Sequence, residues 1–167
     1  MLSREITCCF TGHRESKLSW RGNEQDERCI DLKKRMFDVV EAVYTSGIRH
    51  YISGMANGCD MFFGEAVIRL KEIHPDVTLE AAIPYTGQAE RWRDTLKSRY
   101  DTIIKAADFQ TLVCREYTYD CMKRRNRYMV DNSSVIIAAY SGESGGTRQT
   151  LLYAMRQKIE IIELVIE

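Results

Sequence analysis

The chain has 167 residues, 24 Lys and Arg against 24 Asp and Glu, and 44% hydrophobic side chains. That size and apolar content suit one domain, residues 1–167, with a core covered on both sides, while zero formal net charge supplies no global field to recruit nucleic acid or an acidic membrane. No apolar run approaches the ~18 residues of a membrane span, and the first residues, charged at Arg4 and Glu5, lack the long apolar centre of a signal peptide; a cytoplasmic protein is expected, with no membrane partner.

Six short apolar runs alternate with amphipathic segments. The first, 6–10, leads into Thr11-Gly12-His13-Arg14. A polar stretch, 15–26, follows and contains Gly22; it reads as a long loop over a crevice or a mobile flap. Cys29, Leu32, Met36, Val39, Val40 and Val43 then recur at helical spacing. The second run, 50–52, opens the loop Ser53-Gly54-Met55-Ala56-Asn57-Gly58-Cys59-Asp60, and Phe62, Phe63, Ala66, Val67, Leu70 and Ile73 mark the next helix. Further strands are expected at 79–83, 111–114, 135–140 and 159–166, with helices over 88–107, 119–132 and 146–157. This βαβ alternation predicts a doubly wound α/β fold, a three-layer αβα arrangement around a mainly parallel sheet.

In a parallel sheet the strand ends share one edge, so the loops at Gly12, at 53–60 and at Ser141-Gly142-Glu143-Ser144-Gly145-Gly146-Thr147 face a single crevice. The last loop joins a strand to a helix start. Its glycines let several N–H groups approach one oxyanion where the helix adds partial positive charge, so a phosphate fits there.

The six cysteines show neither Cys-x-x-Cys spacing nor a histidine at ligand spacing. Disulfides and a bound metal are therefore not expected, and Cys8, Cys9 and Cys114, inside apolar runs, read as small buried hydrophobes. Lys123, Arg124, Arg125 and Arg127 form the longest basic cluster, the pattern of a solvated helix face.

Several of these motifs, in this order, resemble the YpsA-like family of the Rossmann-like SLOG superfamily, which also holds LOG-type phosphoribohydrolases and DprA (Smf) proteins. The residues that carry the resemblance are Thr11-Gly12-His13-Arg14, Ser53-Gly54-Met55-Ala56 with Gly58 and Asp60, Pro84 with Gln88 and Trp92, Arg125-Asn126 with Met129-Val130-Asp131, and Gly145-Gly146-Thr147. The resemblance implies a pocket for a nucleotide or an ADP-ribose-like ligand and the strand order 3-2-1-4-5-6. Gly142 and the loop through Thr147 would meet phosphate, with Arg14 as a charged fork to it or an ion-pair partner on a loop. His13 would reach ribose or base, or pack beside the turn. Asp60 would accept a ribose hydroxyl or cap the following helix. Gln88 and Trp92, one helical turn apart, would share a face, with Trp92 stacking on a base or filling the core. Arg125 would position the ligand as the matching arginine does in LOG-type enzymes.

One departure bears on activity. LOG-type proteins carry a glutamate three positions after the glycine-threonine pair, and Thr150 stands there. A hydroxyl neither holds a proton as a carboxylate does nor stabilises an oxocarbenium ion by charge. Binding without turnover, as a sensor module, is therefore the leading expectation, ahead of an N-glycoside hydrolase and of DprA-like single-strand DNA binding. Nucleic acid is disfavoured as a partner, and a homo-oligomer is left open.

Overall fold

Successive side chains along the apolar runs point to opposite faces of one sheet, and both faces are buried. In the computed structural model, which describes residues 2–166, the strands are β1 (Thr7–Gly12), β2 (His50–Ser53), β3 (Thr78–Tyr85), β4 (Phe109–Cys114), β5 (Val135–Tyr140) and β6 (Glu160–Val165). Cys8, Phe10, Tyr51, Leu79 and Ile137 enter one buried cluster, while Cys9, Ile52, Ala82 and Ile136 enter the other. All neighbouring strands pair in parallel, so the chain must cross over between them, and helices supply the crossovers.

Three helices cover the first face. From α1 (Glu27–Thr45) come Leu32, Met36 and Val40, from α2 (Cys59–Ile73) Phe63, Val67 and Leu70, and from α3 (Asp94–Ala106) Ile103. The second face is covered by α4 (Cys121–Asp131), through Met129 and Val130, and by α5 (Gly146–Arg156), through Ala154. The result is the expected three-layer, Rossmann-like fold. All six cysteines are buried, and among the described residues no helix is long and apolar enough to cross a membrane.

The strand order differs from expectation: it is β4-β3-β2-β1-β5-β6, not 3-2-1-4-5-6. β5, Val-Ile-Ile-Ala-Ala-Tyr, is buried along almost its whole length, whereas β4, with Gln110 and Thr111, is largely exposed. A strand apolar on both faces belongs at the centre and a half-polar one at an edge. β5 therefore pairs with β1, setting Phe10 opposite Ile137 and Gly12 opposite Ala139. The direction of strand progression reverses between these two, so a crevice opens at their carboxyl ends.

The polar stretch 15–26 takes the first of its two expected forms, a loop at the crevice: its own Leu18 and Trp20 are buried, Ser16 and Lys17 line the crevice, Arg93 holds Glu15 at 2.9 Å, and Lys33 and Arg99 both grip Glu24. One further expectation changes. The third crossover helix starts at Asp94 and not at residue 88, because the chain turns first, through Gly87 at φ +85°. Gln88 and Trp92 thus share no helical face.

Candidate functional site

At the β1/β5 switch point lies a crevice of about 220 Å³. β1 contributes Phe10, Thr11 and Gly12 to its lining, and the segment after it His13, Arg14, Ser16 and Lys17; Ala56 and Asp60 come from the loop and helix after β2. α4 adds Met122, Arg125, Asn126 and Met129, and the β5 loop adds Glu143, Gly145, Gly146 and Thr147.

His13 ties the three loops together. Its N–H donates to the Ala139 carbonyl at 3.3 Å, and its own carbonyl accepts from the Cys59 N–H at 3.1 Å. On the ring, Nε2 accepts from the Ser141 N–H at 3.2 Å, which assigns the proton of the neutral imidazole to Nδ1. Ser141 Oγ lies 2.7 Å from the same Nε2. Burial lowers the imidazole pKa and Lys17 lowers it further, against a weaker opposing pull from Glu143. The turn-packing role is thus realised in the fold.

Arg125 is 5% exposed and enters from α4 beneath the crevice. Its Nη1 donates to the Gly54 carbonyl and its Nε to Asn126 Oδ1 at 2.8 Å. A Cβ on Gly54 would stand 2.9 Å from the guanidinium carbon. A bare Gly54 therefore makes room for the arginine. Asp60, also 5% exposed, accepts from the Ala56 N–H at 3.0 Å. Burial raises its pKa, partly offset by Arg125, the Ala56 N–H and Arg14. Burial likewise lowers that of Arg125, against the opposing charge of Asp60. An acid and a base thus share a buried floor, a costly arrangement that neighbouring polar contacts must stabilise.

Gly12 and Gly58 also serve packing. A Cβ on Gly12 would meet Cys59 Cβ at 2.7 Å and the Phe10 ring at 2.9 Å, and one on Gly58, at φ +93°, would meet the Glu15 nitrogen at 2.5 Å. The β5 loop is different. At Gly146, the first residue of α5, nothing lies within 4 Å of where a Cβ would stand, so open space faces its backbone. Beside it, Lys17 Nζ donates to the Ser144 carbonyl at 3.0 Å and lies 2.6 Å from where a Gly145 Cβ would be.

The structure therefore brings Thr11, Gly12, His13, Arg14, Ala56, Asp60, Arg125, Asn126, Gly145, Gly146 and Thr147 to one crevice. Gly54 and Gly58 stand behind it, and Gly142, at φ +90°, lies outside its lining. Pro84, Gln88 and Trp92 are not part of it. Pro84 is buried in β3, while Gln88 and Trp92 line a separate cleft with Tyr85 and Tyr117, and Trp92 packs edge-on against Tyr100 at 5.5 Å. Phe10, Ser16, Lys17, Met122, Met129 and Glu143 also line the crevice and were not among the expected ligand contacts; Lys17 is the cation among them. Its only signal was a cation three residues beyond Arg14 in a stretch read as loop.

Thr150, at the position of the LOG-type glutamate, is buried and donates to the Gly146 carbonyl at 2.8 Å. It does not line the crevice; the carboxylates that do are Asp60 and Glu143.

A family model described as the YspA SLOG family matches residues 8–165. The SPbeta prophage-derived protein YoqJ of Bacillus subtilis (strain 168) is 30% identical over 140 residues, covering 76% of this chain and 82% of its own length. Two solved structures share the fold. DNA processing protein A of Streptococcus pneumoniae superposes with a TM-score of 0.61 at 17% identity, over 94% of this chain and 49% of that one. Its Helicobacter pylori counterpart, described by its single-stranded DNA binding mode, gives 0.62 at 13% identity, over 95% and 64%. This chain therefore spans about half the length of the pneumococcal protein.

Proposed function

The chain belongs to the YspA SLOG family, and from that membership and the geometry of the crevice we propose that it binds a nucleotide or nucleotide-derived ligand as a regulatory module. The observation that carries this reading is the open space in front of Gly146 at the start of α5, with Arg14, Lys17 and Arg125 on the same crevice. Unsatisfied N–H groups at a helix start, converging with three cations, match a phosphate. Asp60 and Asn126 supply polar contacts for a ribose.

The decisive measurement is a thermal-shift screen of nucleoside phosphates and ADP-ribose, because a ligand selective for the folded state raises apparent stability by mass action. Short oligonucleotides belong in the same screen, since one fold neighbour is described by its single-stranded DNA binding. No stabilisation by any phosphate-bearing compound would defeat the proposal.

Hydrolysis of an N-glycosidic bond is the second reading, and Asp60 is the observation in its favour: a buried carboxyl with raised pKa, lining the crevice, has the character of a general acid. Against it stands the Ala56 N–H, which already occupies one of its oxygens.

A further inference from the structure

The crevice is small for the ligand just proposed. Its volume of about 220 Å³ falls below the roughly 300 to 1,000 Å³ usual for small-molecule pockets, so a phosphoribosyl group fills it and the rest of the ligand must leave. One exit is built. Between α4 and α5 runs a groove of about 480 Å³ that shares Met122, Asn126 and Gly146 with the crevice as a common lip.

The groove has the chemistry of a phosphate and base site. Lys123, Arg127 and Arg156 line it against a single acid, Asp120, and none of the three cations is in an ion pair among the described residues. Two guanidiniums approach the Tyr153 ring, Arg127 at 5.2 Å and Arg156 at 5.8 Å from its centre, and the Tyr153 hydroxyl donates to Asp131 at 2.7 Å. Tyr119, at the groove's edge, is 95% exposed. Cations without ion pairs, beside the exposed Tyr119 ring, suit a base stacked next to a phosphate, and Thr150, its hydroxyl turned to Gly146, adds no charge there.

We propose that the α4–α5 groove is the second half of the binding site and takes the distal nucleotide of a dinucleotide whose proximal phosphate sits at Gly146. This rests on the reading of the crevice as a nucleotide site. A mononucleotide fills the crevice with its phosphoribosyl group and leaves its base at the lip, short of the Arg127 and Arg156 end of the groove; a ligand with two phosphates and two bases spans the lip at Asn126 and gains that end.

The test is isothermal titration calorimetry at physiological salt, where exposed charges are screened beyond about 8 Å, with 5′-AMP and 5′-phosphorylated diadenylate as probes. The unmodified protein should bind the dinucleotide about tenfold or more tightly than AMP, as expected for added charge-assisted contacts. A protein carrying Arg127→Gln and Arg156→Gln, both exposed positions, should lose that preference while AMP affinity stays within about twofold. Equal affinity for the two probes, or a preference that survives the double substitution, overturns the groove assignment and leaves the crevice reading standing. Binding of neither probe overturns both.

Discussion

The Arg125 guanidinium lies where a side chain on Gly54 would be, 2.9 Å from that absent Cβ, and donates to the Gly54 carbonyl. A helix on one face of the sheet thereby reaches a loop that leads into a helix on the other. The pairing explains why a glycine is needed there. Lys17 lies over Gly145 in the same way, so two of the loop glycines accommodate cations that border the crevice.

Gly54→Ala should therefore act through Arg125. The new methyl displaces a buried guanidinium and strains the loop, costing about 1–3 kcal/mol of stability, and nucleotide affinity should fall with it. Urea denaturation and calorimetry of the same variant check the two effects. A variant as stable as the parent would show that the guanidinium has room to move.

Gly146→Val should separate binding from folding. Nothing lies within 4 Å of its Cβ position, so the fold tolerates the side chain while the approach to the α5 start is blocked. Arg14→Ala, at an exposed position, should weaken nucleotide affinity by about tenfold, a charge-assisted contact discounted for solvent screening. Unchanged calorimetric affinity in both variants would place the ligand elsewhere.

Glu80 sets an acid limit on stability. Burial alone would raise its pKa, but hydrogen bonds involving His50 at 2.7 Å, Tyr128 at 2.6 Å and Thr111 at 2.7 Å outweigh burial and hold it below the ordinary value. A carboxyl with a depressed folded pKa contributes stability present above its unfolded value, near 4.5, and loses it as pH falls through the folded value. Melting temperature should drop below about pH 4.5. Glu80→Gln should flatten part of that drop and cost about 1–3 kcal/mol at neutral pH; an identical pH profile in the variant would remove Glu80 from the account.

His13 works from the same side of the pH scale at milder acidity. Its folded pKa is lowered from 6.5 by burial first and Lys17 next, so between the folded and unfolded values the unfolded chain binds more protons, and stability rises with pH. Stability should fall as pH drops below 6.5, and the Ser141 N–H bond to Nε2 should be lost only once pH passes below the lowered folded value, where Ser141 loses amide-exchange protection first. His13→Gln should abolish that pH dependence, and its persistence in the variant would assign it to another group.

Catalytic silence is the last expectation. Thr150 is turned away from the crevice and supplies no negative charge to a sugar transition state, so nucleoside monophosphates should release no free base above background. Base release that Asp60→Asn abolishes would make the protein a hydrolase with Asp60 as its acid.

The sequence by itself determined the layers of this protein and most of its crevice. Apolar runs such as 135–140 alternate with helical stripes such as Leu32, Met36 and Val40 because strand and helix bury side chains with different periods, and in a parallel sheet that alternation is enough to send the loops at Gly12, Ala56 and Gly146 to one edge. Only the tertiary structure decided what each loop residue does there. Periodicity describes a segment against an unspecified core, so it did not separate β4 at the edge from β5 at the centre, although the polar Gln110 and Thr111 carried that information. Nor does local sequence reveal contacts between distant segments: Arg125 against Gly54, Lys17 against Gly145, and Trp92 turned toward Tyr100 instead of a ligand are all products of how two helices and a cover segment meet over a shared sheet edge.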